Sequence, residues 1–195
     1  DRMSQASEEL RFEDAQFFKE QIQALGRLKK KRFSPGRLEA RVAFSATLEL
    51  KKLLKAEKLP EKIVCFDVSN IQGDEAVASK VSFYRELPDK LEYRRYKIKT
   101  VAGIDDYAMI QEALSRMLIG LKEGREIFIP DLIVIDGGKG HLSAAREVLK
   151  REGFEEMELI SLAKRFETVY SARLGGEVSV PKDSPALHLL QKVRD

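Results

Sequence analysis

The sequence predicts an α/β fold, a mixed sheet of antiparallel and parallel strands flanked by helices, with a helical segment ahead of it. Three observations predict it. Leu132-Ile133-Val134-Ile135 is a continuous, mostly β-branched run that ends abruptly in Asp136 and a Gly137-Gly138-Lys139-Gly140 turn, the pattern of a strand buried on both faces. Ile63-Val64-Cys65-Phe66-Asp67-Val68-Ser69 is a second such run and carries an aspartate inside it. Short strand-like segments and amphipathic helices then alternate in an order that suits a mixed sheet.

Residues 1–32 read as helical, with Ala6, Leu10, Phe17, Ile22 and Leu25 near one face and Phe12, Ala15 and Phe18 widening it. So short an element cannot bury its own apolar face, so it packs either on the rest of the chain or on a partner. The basic run at 29–32 reads as a solvated face, and Ser34-Pro35-Gly36 as a boundary. A connecting helix over 37–58 shows a rough apolar stripe through Leu38, Val42, Ala46, Leu50, Leu53 and Leu54, and Pro60 ends it. The main domain, 60–195, opens with a strand at 63–68. A turn at 70–74 leads to a second strand at 76–84, and a turn at 87–90 to a third at 91–98. Connections this short require an antiparallel meander. Asp105 or Asp106 caps a helix reaching about Leu121, whose core face is Ile110, Leu114, Met117, Leu118 and Leu121. The strand carrying Asp136 follows, then a helix over 141–152, a strand at 158–163, a hairpin over 168–180 around Gly175-Gly176, and a last helix with Pro185 in its first turn. This order matches the ribonuclease H-like pattern, which sets the first and fourth strands side by side and brings Asp67 to Asp136.

Composition narrows the function. The chain has 195 residues and a net charge of +3, so nucleic-acid contact rests on local patches rather than on the overall field. One cysteine excludes an internal disulfide framework and cysteine-rich metal sites, and fits a reducing, cytoplasmic setting. No apolar run approaches a membrane span. The chain begins at Asp1 and stops inside a helical pattern, which reads as a piece of a longer protein.

An aspartate inside a buried strand is costly unless it is paired, hydrogen-bonded or bound to a metal. Two on adjacent strands make a hard-cation site suited to Mg²⁺ or Mn²⁺, and a pair of such ions serves in-line phosphodiester displacement. Asp67 and Asp136 are therefore the candidate metal and catalytic carboxylates, with Asp106, or Asp105 beside it, as a third acidic residue. Each also has a plainer reading: a hydrogen-bonded core aspartate, an Asp-Gly turn residue and a helix cap. The Gly137–Gly140 turn lacks the spacing of a nucleoside-triphosphate loop. Its glycines instead admit a nucleic-acid backbone, with Lys139 reaching a phosphate. Arg94, Arg95 and Lys97, interleaved with Tyr93 and Tyr96, read either as a phosphate-tracking strand or as an ordinary exposed face, and alternation puts Arg95, Lys97 and Lys99 on one side. Lys164 falls near the same sheet end. His141 reads as structural, and His188 as a weak candidate whose helix passes over the carboxylates.

Cys65-Phe66-Asp67-Val68-Ser69-Asn70-Ile71-Gln72-Gly73, Tyr93-Arg94-Arg95-Tyr96, Asp105-Asp106-Tyr107-Ala108-Met109, the stretch from Leu132 to Gly140, Leu162-Ala163-Lys164 and the segment from Leu187 to Asp195 together resemble the UvrC family of the bacterial nucleotide excision repair nuclease. Residues 1–32 resemble its UVR motif, which implies docking on UvrB through Leu10, Phe12, Ala15 and Ile22. The resemblance implies a ribonuclease H-like endonuclease, dependent on Mg²⁺ or Mn²⁺, that cuts damaged double-stranded DNA on the 5′ side of the lesion. Asp67 and Asp136 would bind metal, and Asp106 matches a further acidic position. The family also uses a histidine a few residues past Asp195, so the resemblance makes this a C-terminally truncated domain, without the family's GIY-YIG nuclease and helix-hairpin-helix repeats. The alternative is a non-catalytic adaptor that binds UvrB and DNA.

Overall fold

The computed structural model describes residues 45–71, 75–101, 103, 105–126 and 128–195. The expected UVR-type helices at 1–32, with Leu10, Phe12, Ala15 and Ile22, lie outside them, as does the start of the connecting helix.

Eight strands form one sheet: β1 (Lys62–Ile71), β2 (Glu75–Tyr84), β3 (Leu87–Pro88), β4 (Arg94–Lys97), β5 (Leu132–Asp136), β6 (Glu158–Ala163), β7 (Thr168–Ser171) and β8 (Gly176–Val178). Their order is β3-β2-β1-β5-β6-β7-β8, with β4 also on β2. The β1–β5 and β5–β6 pairs are parallel and every other pair is antiparallel. The expected neighbours, the strands carrying Asp67 and Asp136, are adjacent in this order.

The expected third strand divides. Its first half is the two-residue β3 and a 3₁₀ turn at Lys90–Glu92, and only Arg94–Lys97 remains as β4. Pro88 can join only at an edge, and Asp89 ties this corner down by accepting an ion pair from the buried Lys62 at 3.2 Å. The connecting helix ends earlier than expected: among the described residues α1 spans Ser45–Leu54 and stops at Lys55, whose φ of 50° breaks the helix. The other helices, α2 (Asp106–Lys122), α3 (Lys139–Arg151) and α4 (Pro185–Arg194), fall within two residues of their expected starts.

Alternate residues of the central strands feed two cores. On one face Ile63, Cys65, Leu132, Val134, Ile160 and Leu162 pack under α1 and α4. On the other Val64, Phe66, Ile133, Ile135 and Leu159 pack under α2 and α3. The helix ends are closed by side chains. Ser184 Oγ accepts from Leu187 N–H, and Glu49 of α1 accepts from Ala186 N–H at 3.0 Å, so α1 supplies a second cap to α4. Asp105 Oδ1 accepts from Ala108 N–H at 3.0 Å and caps α2. On the α2–α3 side, Ser115 Oγ donates to Glu152, and Gln111 donates to the Ala144 carbonyl. No helix among the described residues is long and apolar enough to cross a membrane.

Candidate active site

The parallel register that pairs Phe66 with Ile135 puts Asp67 and Asp136 one step further along adjacent strands. Strand alternation turns both toward the α1–α4 face, since Cys65 and Val134, two residues earlier, belong to that core. Asp67 is held above the usual carboxylate range. Burial is the largest cause, followed by the negative charge of Asp136 and the hydrogen bond to it. The Asp136 side chain is only 5% exposed and makes an ion pair with Lys164 Nζ at 2.8 Å. Asp136 is registered on Leu162 of β6, so Lys164, two residues on, reaches it from just past the strand end. That hydrogen bond, ahead of Coulombic attraction, holds the lysine ammonium protonated. Cys65 sits beneath the pair, and burial, then Asp136 and Asp67, push its thiol far up, which leaves it unreactive.

The five candidate DNA contacts separate by face. Asp67 pairs with Ser79 and Ser79 with Arg95, so Arg95 lies in line with Asp67, two strand spacings or roughly 10 Å away. Ser69, Val77 and Lys97 make the next row. Arg95, Lys97 and Lys164 therefore share the carboxylate face. Arg94 is registered on Lys80 and Phe66, on the opposite face, and its guanidinium donates to the Leu91 and Tyr93 carbonyls. Lys139 also lies on that opposite side, its Nζ 5.4 Å from the Tyr170 ring centre. Tyr96, expected to assist nucleic-acid contact, is a core residue: it is 8% exposed and stacks on Phe66 at 6.2 Å.

Asp105 and Asp106 begin α2, which covers the other face, and the structure does not bring them to the Asp67–Asp136 pair. They line a surface hollow with Tyr107 and His141. Among the described residues, no three His, Cys, Asp or Glu side chains are grouped to hold a metal. His188 is exposed on α4 while its neighbours Leu187, Leu189 and Leu190 are buried.

Two features are not apparent from the sequence. Gly137, at φ +152°, lies so close to His141 that a Cβ there would sit 2.5 Å from the imidazole Cγ, and a Cβ on Gly140 would sit 2.7 Å from the Tyr107 hydroxyl. The Tyr107 and His141 rings meet at 4.6 Å. The Gly-Gly-Lys-Gly turn is thus a packing device that locks α3 to α2 and fixes where Asp136 ends. The second feature is a clamp on the β6–β7 turn, where Arg194 at the end of α4 donates to both oxygens of Glu167, at 3.0 and 2.9 Å. A spacing of two between Leu162 and Lys164 is the available signal for the lysine; nothing local signals Arg194.

Two shielded, mutually repelling carboxylates are hard oxygen donors whose charge a divalent cation relieves, so the pair fits Mg²⁺ or Mn²⁺. Comparison with known proteins places the chain in a family. Residues 51–195 match the family described as UvrC RNAse H endonuclease domain. The chain is 43% identical over 154 residues to UvrABC system protein C of Dehalococcoides mccartyi, covering 77% of this chain and 25% of that protein. For the Chlorobaculum tepidum protein of the same name the figures are 44% over 146 residues, 75% and 23%, and for the Pseudomonas putida protein 39% over 166 residues, 82% and 27%. The chain thus spans about a quarter of the length of these relatives. Among solved structures, Ciona intestinalis endonuclease V in complex with inosine-containing DNA aligns at a TM-score of 0.43 and 17% identity, over 60% of this chain and 55% of that one. With a family match over most of its length and curated relatives at about 40% identity, the chain belongs to the UvrC ribonuclease H endonuclease-domain family.

Proposed function

We propose that this chain is the catalytic part of a DNA endonuclease of nucleotide excision repair, dependent on Mg²⁺ or Mn²⁺, that cuts on the 5′ side of a lesion. The observation that carries the reading is the Asp67–Asp136 pair, set side by side where the parallel pairing of β1 with β5 stops. An adaptor has no use for this arrangement, because two shielded like charges side by side destabilise the fold that holds them. Family membership favours the same chemistry.

Asp67 and Asp136 would hold the metal. Bound there, it supplies charge neutralisation at the phosphate and activation of water. The chain's own residues do the rest. The core beneath Cys65 shields the carboxylates from water, which strengthens every charge interaction above it. Lys164 orients the Asp136 carboxylate through their 2.8 Å ion pair. Arg95 and Lys97 continue a positive row on the same face, placed to receive the phosphates of one strand. Asp106 is the third acidic residue of this proposal, and it lines the hollow with Asp105, Tyr107 and His141 rather than the Asp67–Asp136 pair. Residues 1–30 would dock on UvrB.

The test is incision of a lesion-bearing duplex with Mg²⁺ or Mn²⁺, comparing the chain with Asp67→Ala and Asp136→Ala. Each substitution should reduce cutting on the order of 10³-fold or more while circular dichroism stays unchanged. Retained incision by either variant would sink the assignment.

A further inference from the structure

We propose that Phe166 is a stacking platform for an unpaired nucleotide next to the phosphate being cut. This rests on the nuclease reading of the Asp67–Asp136 site and extends it to how DNA is held there.

The β6–β7 turn is fixed at both ends. Lys164 enters it with its ammonium on Asp136 at 2.8 Å, and Glu167 leaves it gripped by Arg194. Glu167 adopts a left-handed φ of 53°, which is uncommon for a non-glycine residue, and Arg194 holds its carboxylate. Between these anchors Phe166 is 72% exposed, more than any other large apolar side chain among the described residues. The Arg165 guanidinium lies 5.1 Å from its ring centre. A rigid turn beside the carboxylates thus presents an aromatic face with a cation on it. Water is a poor partner for that face. A nucleotide suits both halves, because its base stacks on the ring face opposite Arg165 and its phosphate meets the guanidinium. The position next to Lys164 and Asp136 puts the stacked base beside the scissile phosphate, where an unpaired nucleotide is available once the duplex is distorted.

The chain contains no tryptophan, so Phe166→Trp introduces a single indole, excited selectively over the five tyrosines. The whole chain would be titrated, with Ca²⁺ in place of Mg²⁺, with a duplex carrying a short unpaired bubble. The expected results are quenched indole emission from the Phe166→Trp variant on binding and affinity about tenfold weaker in Phe166→Ala, with Phe166→Trp retaining it. The slope of log affinity against log salt should be the same for Phe166→Ala as for the unaltered chain, because no phosphate contact is lost. Normal DNA binding by every variant with unmoved emission would overturn the platform and leave the nuclease reading standing. Failure of the unaltered chain to bind the DNA would overturn both.

Discussion

The two faces of the sheet are built from alternate residues of the same strands, yet they end differently. On the α1–α4 face Cys65 and Val134 give way to Asp67 and Asp136, and the apolar core stops at a charge pair. On the α2–α3 face Phe66 and Ile135 give way to a packed knot of Gly137, His141, Tyr107 and Gly140. The first end carries a repulsion that Lys164 relieves only in part, which leaves Asp67 with a use for a further positive charge. The second packs two glycines against two rings and fixes geometry. One residue of register separates the chemistry from its scaffold.

The comparison is easiest to break on the scaffold side. Gly137→Ala adds a methyl 2.5 Å from the His141 ring at a φ that alanine disfavours, and should cost roughly 2–4 kcal/mol by urea unfolding. Adding His141→Ala should recover only part of this, because the clash goes and the backbone strain stays. Full recovery would mean that the turn is held by the ring alone.

Glu112 of α2 accepts from the Lys99 and Thr100 backbone N–H groups and from the Thr100 hydroxyl, and so ties the chain after β4 to the scaffold face. Burial works against its charge, but these hydrogen bonds outweigh it and hold its pKa below the ordinary carboxylate range. Its contribution is therefore complete above the unfolded carboxylate pKa and is lost as pH falls through the folded value. Glu112→Gln should cost about 1–2 kcal/mol at pH 7, with the gap closing on acidification in unfolding curves taken between pH 7 and pH 3.

The chemical face should respond in the opposite sense. Asp67 has a raised pKa, so its charge costs stability above the folded value, and the cost disappears below the unfolded one. Asp67→Asn should therefore stabilise the metal-free fold, by roughly 1 kcal/mol or about 2–4 °C in Tm, while removing function. A loss of stability would show that the pair is a structural hydrogen bond. The smallest effect separates neighbours on β4. Arg95→Ala should lower the salt slope of DNA binding by about one, whereas Arg94→Ala, on the other face, should leave it unchanged.

Much of this is legible in the sequence. Apolar runs of β-branched residues locate β1 and β5, and the order of elements places them side by side, so the carboxylate pair follows. Alternation along β4 correctly groups Arg95 with Lys97. Tyr96 misleads because the same alternation that exposes the arginine buries the tyrosine, and the facing partner, Phe66, is 30 residues away in the chain. The third strand looks longer in the sequence than it is because Leu91 and Tyr93 have strand-forming side chains, while the edge position of Pro88 and the Lys62–Asp89 pair, both tertiary, set the 3₁₀ turn. The face taken by Lys139 depends on Tyr170, and the Arg194 clamp on how α4 crosses the sheet. Neither is a local property.

The central claim is that Asp67 and Asp136 together hold the divalent ion. Mn²⁺ binding followed by electron paramagnetic resonance and calorimetry, on the chain and on Asp136→Asn, tests it most directly. The account predicts a Mn²⁺ site in the chain that is lost in Asp136→Asn with the fold intact. Equal Mn²⁺ binding by the two proteins would contradict it.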